Sequence, residues 1–453
     1  MAKHRRRLPL VLVVVVVLAA TGVLTSLRHS TNPSTLPSGL TASLDAESTA
    51  LYCTGLASGT GPPGRVTFYN TSDASRSLSL SIVSQVGTTY TSTIELAAHA
   101  AQSIQPSVLD SGTNFGVAVQ ISGGGVVGNE TAGNNRAEVP CQSTGVRHWY
   151  ATGFDTLVGS SAYLSLYNPT GTAAVLNATI FTGTGFSAPQ SFQGLSIPAH
   201  TQTQINLGGQ VVNTANVGVG IDVLRGSLVI VGVQDSNGEV SFDQGVVSPL
   251  KAAWFPNVTT VNHATAQIRV ANPNAAPAQV TVNVTLRKYT VAPQTLTVSP
   301  YSTSLVNITP NSAIPAAGYA SLTLRSSEPV VTSLATGQGT WTALSAPAAP
   351  GKVFLIRDFT GRGFDAATVT NTSSRTISVS ITTLKDKETK SLTVTGEKVG
   401  GDTTESVLAL LPASATTQSQ TFIVSSATPS LVVGLTLPSK PNGVLVVVPL
   451  NGG

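Results

Sequence analysis

Charge is what this chain has least of. Only 10% of its 453 residues are Asp, Glu, Lys or Arg, where about a quarter is usual in soluble domains. The deficit is not the signature of disorder, which joins low hydrophobicity to high net charge; here 41% of residues are hydrophobic. Strands whose outward faces carry Ser and Thr instead of Lys and Glu fit this composition. The formal net charge of +4 misleads, because Lys3, Arg5, Arg6, Arg7 and Arg28 all fall in the first 28 residues and no Asp or Glu does. Removing those five from the 24 basic residues leaves 19 against 20 acidic ones, a net charge of −1. Nucleic-acid binding needs a basic face that neutralises phosphates, so that class is excluded.

Aromatic residues are also few, at 5%, with tryptophan only at 149, 254 and 341. Trp149 and Trp254 stand at matching places in a repeat described below, which points to core packing before a sugar-stacking platform. Catalytic motifs are missing altogether: there is no G-x-S-x-G elbow, H-E-x-x-H helix or phosphate-cradling glycine loop. Gly123–Gly125 joins two strands with no helix to follow, so it reads as a hairpin. Asp235–Asp243 (DSNGEVSFD) offers oxygens at alternating spacing, yet it lacks the length of a calcium loop, and its Asn-Gly pair signals a hairpin turn. His99 and His200 lie at equivalent turns where a third copy has Tyr301, which argues against a ligand or base. No residue is therefore assigned a catalytic, cofactor-binding or metal-binding role, and the chain is not expected to be an enzyme.

What is present is a repeat. Val66–Val83, Ala162–Thr182, Ala266–Lys288 and Asp365–Leu384 each hold an alternating strand, an Asn followed by Pro or Thr, a small polar turn and a second alternating strand. The asparagines are Asn70, Asn168, Asn272 and Asn371, at steps of 98, 104 and 99 residues. Asn hydrogen-bonds its own backbone in such turns and Pro presets φ. Each copy opens with an aromatic-rich strand (Leu51–Leu56, His148–Phe154, Ala252–Val258, Lys352–Phe359), and each carries a later hairpin turn, at Ser122–Gly125, Arg225–Ser227, Ser326–Pro329 and Ser425–Pro429. Short alternating strands between turn residues predict an all-β chain of about four tandem immunoglobulin-like β-sandwich modules. A β-propeller fits less well, because its blades are shorter than these repeats.

The predicted order is a cytoplasmic basic tail (1–7), a transmembrane signal-anchor (8–27), a Ser/Thr/Pro tether (28–49) and modules at 50–145, 146–250, 251–348 and 349–453. Leu8–Leu27 is a twenty-residue uncharged run, about the length that spans a bilayer core, and the basic residues before it predict an exported body. A cleaved signal peptide would leave the body secreted instead. Cys53 and Cys141, the only cysteines, are 88 positions apart and flank the first repeat. A disulfide between them is expected in an oxidising compartment and would stabilise that module by about 4–5 kcal/mol on the chain-entropy model. Short, partly Pro-rich links such as Ala346–Gly351 predict a semi-rigid rod or a packed array.

The run from Leu164 to Leu207, with NPTGTAAVLNATIF and IPAHTQTQINL, behind a single N-terminal membrane helix resembles an uncharacterised actinobacterial envelope family. That family is known only as a domain of unknown function. The resemblance implies an extracytoplasmic body and a role near envelope polysaccharide assembly, and it brings no catalytic residues. The expected function is a non-catalytic scaffold or interaction protein of the cell envelope, with the membrane and an envelope protein or polysaccharide as partners. A glycan-binding module protein is the alternative. A hydrolase would need Asp155 gathered in a cleft with Asp222 or Asp235.

Overall fold

Alternating Val, Ile, Leu and Thr become paired strands in the computed structural model, which describes residues 42–43, 48–57, 64–109, 114–132, 137–259, 265–286, 291–309, 314, 319–338, 341–348, 350–351, 353–357, 366–383, 389–394, 403–406, 421–436 and 447–451. The chain is all-β there, apart from single turns of helix such as Pro106–Leu109. No helix among the described residues is long and apolar enough to cross a membrane. The expected span, Leu8–Leu27, lies outside the described residues.

The strands gather as successive pairs of sheets. In the first pair, Ser48–Ala57, Asn114–Ser122, Arg76–Ser84 and Gly87–Leu96 make one sheet; Ala101–Ile104, Arg65–Asn70, Val126–Thr131 and Glu138–Pro140 make the other. The second pair sets His148–Phe154, Val217–Arg225 and Ala174–Thr182 against Gln202–Asn206, Ser160–Tyr167, Val229–Ser236 and Glu239–Asp243. Every neighbouring pair of these strands runs antiparallel. For brevity, the strands at Ser48–Ala57, His148–Phe154, Leu250–Thr259 and Val353–Arg357 are called opening strands. Those at Arg65–Asn70, Ser160–Tyr167, Thr265–Asn272 and Ala366–Asn371 are called asparagine strands.

The third pair departs from the expected turn at Ser326–Pro329. Tyr319–Gln338 is one continuous strand. Up to Val330 it pairs with the opening strand and with Ala278–Leu286; from Val331 it pairs with the asparagine strand. The register shifts between Leu250↔Val330 and Ala252↔Arg325, so the extra residues, Ser326–Pro329, lie on the long strand at the handover, and such a bulge bends a strand without breaking it. Pro329, which has no N–H to give a ladder, sits at that point. In the first pair, Gly123 and Gly125 hold φ of +90° and +80°, and there the strand is interrupted, Val126–Thr131 continuing in the other sheet.

Period-two burial builds the cores. Ala174–Thr182 and Ile377–Thr383 alternate buried with part-exposed positions, as a sheet with one packed face requires. Trp149, Phe154, Leu164, Ile180, Val219 and Ile230 fill the second core. Phe68, Leu80, Phe115 and Ile121 fill the first, together with the Cys53–Cys141 disulfide. Two residues of the expected tether, Ala42–Ser43, form a strand. It pairs in parallel with Val447–Asn451, which itself pairs with the fourth opening strand.

Candidate functional site

The four repeat asparagines are wholly buried. The Nδ2 group of Asn70 donates to the carbonyls of Ala74 (2.7 Å), Leu96 (3.1 Å) and Ala97 (3.1 Å), and its Oδ1 accepts from the Ser72 amide (3.0 Å) and hydroxyl (2.7 Å). Asn168 and Asn272 repeat this set, donating 29 or 30 and 26 or 27 residues onward. Asn371 closes its own turn on Arg375 and Ser373 and reaches Val394. Each amide therefore fixes its local turn and ties it to the turn that leads back to the asparagine strand. Full use of a buried amide is what makes its burial tolerable. His99, His200 and Tyr301 occupy that second turn with φ of +55°, +53° and +50°, the left-handed region of single turn residues.

A second set of buried polar groups lies where one sheet pair meets the next. In the second, third and fourth copies the residue three before the asparagine faces the preceding pair. Ser165 donates its hydroxyl to the Thr54 carbonyl, Arg269 donates from Nη1 to the Gly153 carbonyl, and Thr368 donates to the Pro256 carbonyl at 2.6 Å. All three acceptors belong to the preceding opening strand. Gln202 also donates to the Thr54 carbonyl (2.9 Å), Ser333 to the Thr152 carbonyl (2.6 Å), and Gln142 to the Ile230 carbonyl (2.9 Å). Apolar contacts close around them: Val83, Tyr167 and Val229 at the first junction, and Phe181, Val246, Ala271 and Val331 at the second.

Each of these two junctions also holds a buried carboxyl group. Glu130 is fully buried and accepts from the backbone amides of Thr54 and Gly55, both at 2.5 Å. A Cβ on Gly55 would approach both Glu130 Oε2 and the Phe242 ring. Burial pushes the carboxyl up to about 8, and the two amide bonds oppose this without cancelling it. A carboxyl with that value is neutral at pH 7. Its oxygen and the two Sγ atoms of Cys53 and Cys141 lie within 4.8 Å of one another, but the sulfurs are bonded together and a disulfide is not a thiolate ligand. At the second junction Asp155 meets Arg269 Nη1 at 2.9 Å, both side chains being almost fully buried. Asp155 Oδ1 also accepts from the Asn216 amide (2.9 Å), and Asn216 Nδ2 reaches across to the Ser304 carbonyl (2.8 Å).

The other sequence candidates separate. Asp222 pairs with His148 at 2.8 Å on an exposed strand face, while Asp155 is held by Arg269, so the two do not share a cleft. Asp235 Oδ1 accepts from the Gly238 amide (2.8 Å) within a turn whose Asn237 and Gly238 both have positive φ. Asp243 instead turns inward to the Gly245 amide (2.7 Å), and burial pushes it up to about 7. Trp149 is fully buried, its indole N–H donating to the Gln244 carbonyl (2.6 Å), and Trp254 is half-buried. The side chain of Trp341, the whole of His263 and most of Lys385–Lys390 lie outside the described residues. Tyr301 is exposed, and its ring lies 5.0 Å from that of exposed Phe186. Glu130 and Arg269 were missed from sequence. Arg269 had a readable signal, since it replaces the small hydroxyl found at the same place in the other three copies (Thr67, Ser165, Thr368).

No curated protein matches this chain. A solved structure titled "Crystal Structure of Thermotoga maritima 1070" shares 15% identity over 21% of this chain and 89% of its own, with a TM-score of 0.19. A tetra-tandem repeat in the extending region of a large adhesion protein shares 12% identity over 90% of this chain and 96% of its own, with a TM-score of 0.12. Likenesses this low say nothing about the fold. The sequence pattern of a family does match, across residues 129–420, and the chain belongs to that group, described as Family of unknown function (DUF5719).

Proposed function

We propose that the chain is a non-catalytic, extracytoplasmic scaffold or interaction protein of the cell envelope, built from four immunoglobulin-like modules and held by its N-terminal segment. The observation that supports this reading most is how the buried polar groups are used. Asn70, Asn168, Asn272, Glu130 and the Asp155–Arg269 pair are each engaged with backbone or with one another at turns and junctions. The asparagines and Glu130 fix geometry within a module and the Asp155–Arg269 pair fixes it between two of them, and a fixed array is what a scaffold presents to partners along its loops and sheet edges. Photo-activatable cross-linkers placed at exposed sites in native membranes test it. One recurrent envelope protein is expected, and capture of random surface proteins alone would undo the reading. Protease treatment of intact cells tests the location, which fails if the body is cut only after permeabilisation.

The alternative, a glycan-binding protein, draws support from the Phe186–Tyr301 ring pair, whose members are 57% and 36% exposed. Exposed aromatic faces are where sugars stack, though these two planes are tilted by 46°. Affinity electrophoresis through envelope polysaccharide should then retard the native chain more than Phe186→Ala/Tyr301→Ala. Equal mobilities would remove this reading.

A further inference from the structure

The three junctions share a rule that reaches beyond them. A carbonyl of the opening strand, 16 residues before that pair's own asparagine (Thr54, Thr152, Pro256), accepts a hydroxyl from the next sheet pair. As the chain leaves each pair it bridges to that pair's opening strand, in Tyr52↔Gln142, Tyr150↔Val246 and Trp254↔Ala348. The next opening strand begins within a few residues, at His148, Leu250 and Val353.

In the fourth pair Val447–Asn451 takes this place beside its opening strand, with Phe354 opposite Pro449. Ala42–Ser43 lies alongside that strand, Ala42 opposite Leu450 and Ser43 opposite Asn451. Ser48, which begins the first opening strand, is five residues beyond Ser43, so the two are no more than about 18 Å apart. The fourth pair is thus handed to the first as each earlier pair is handed to its successor, with a parallel strand contact standing in for the covalent link.

The receiving face is also in place. Thr67, three before Asn70, is equivalent to Ser165, Arg269 and Thr368. Val66, Phe68 and Val126 point into the first core, so Thr67, Val127, Asn129 and Thr131 lie on the opposite face. Their exposures are 3%, 2%, 1% and 1%. Asn129 Oδ1 and Thr131 Oγ1 are buried there without a hydrogen-bond partner. In the second pair the matching face carries Tyr167, Val229 and Val231, and the first pair covers it.

We infer that the fourth sheet pair docks on this face of the first through the same backbone-directed latch, with the strand at Val353–Arg357 presented to the strand at Arg65–Asn70. A second copy of the chain would then find the face already occupied. The inference does not depend on the envelope reading.

Paired cysteines in the full chain test it, with the native disulfide kept. Ser321→Cys with Thr370→Cys is the control, since those hydroxyls already meet across the third junction at 3.1 Å. Ala42→Cys with Leu450→Cys probes the strand contact. Thr67→Cys with Leu355→Cys probes the latch, Leu355 lying 16 residues before Asn371. Under mild oxidation all three are expected to cross-link within one chain, at rates unchanged by about a hundredfold dilution, as an intramolecular reaction requires. Links that form only between chains would overturn the proposal. So would a latch pair that stays reduced while the control closes. If the latch pair does not fold, the Ala42/Leu450 pair at the parallel strand contact still decides whether the ends meet.

Discussion

The junction between the first and second sheet pairs and that between the second and third differ at one repeated position. At the first, Ser165 reaches the Thr54 carbonyl and the nearby carboxyl, Glu130, is uncharged near neutral pH. At the second, Arg269 reaches the Gly153 carbonyl and brings a full charge into the interior, where Asp155 balances it. A hydroxyl needs only the carbonyl; a guanidinium needs the carbonyl and a counter-ion, and Asn216 and Gln234 then hold Asp155 just past the end of its opening strand. The repeated position thus reaches the preceding opening strand by neutral chemistry at one junction and by ionic chemistry at the other, with different sensitivities to mutation and to pH.

The largest effect expected from this contrast comes from removing one partner of the ion pair. Arg269→Met leaves Asp155 buried without its counter-charge, a change that costs about 3–5 kcal/mol in buried pairs. Asp155→Leu combined with Arg269→Met should recover most of that, since a well-packed apolar replacement is often neutral. Denaturant unfolding of the single and double variants checks this. If the double variant is no better than Arg269→Met alone, the charge balance is not what the junction relies on.

Glu130 gives a pH dependence of the opposite kind to an ordinary paired carboxylate. Its folded value, about 8, stands above the unfolded 4.5. The folded chain therefore holds a proton that the unfolded chain releases between those values. Its contribution is fully present below about pH 4.5, falls as pH rises, and is gone above about pH 8, at no more than about 1.4 kcal/mol per pH unit. Asp243, raised from 3.8 to about 7, acts in the same direction over a lower window. Glu130→Gln keeps the shape but cannot ionise, so its stability should fall less steeply between pH 5 and pH 8 than that of the native chain. Parallel curves for the two proteins would rule Glu130 out as the titrating group.

How much of this was readable in advance follows the reach of each interaction. Asn70, Asn168, Asn272 and Asn371 were legible because an asparagine turn is local: the amide bonds two and four residues onward. The left-handed turns at His99, His200 and Tyr301 were legible because they recur at one register. The junction partners are 111, 116 and 112 residues apart in sequence, so no local pattern names them. Glu130 sits in VVGNET, a strand that reads as half-exposed until the Thr54–Gly55 amides and Phe242 are found around it. The continuous strand at Tyr319–Gln338 was missed because Ser326–Pro329 has turn composition, whereas these residues form a bulge of that strand as it passes from one sheet to the other.

The smallest effects should separate the two neutral latches. Ser165→Ala removes one donor from the Thr54 carbonyl, but Gln202 still donates to that oxygen at 2.9 Å, so a loss near the low end of the usual 0.5–1.5 kcal/mol per hydrogen bond is expected. Thr368→Ala strips the bond to the Pro256 carbonyl, and Pro256 lies in a strand where it gives no N–H of its own to hold the backbone in register. Its cost should sit at or above the high end of that range. Hydrogen exchange at the two opening strands reads the difference directly: faster exchange should appear around Leu250–Thr259 in Thr368→Ala, and little change around Ser48–Ala57 in Ser165→Ala. The reverse order would mean that Gln202 is not a true second donor and that the first junction hangs on Ser165 alone.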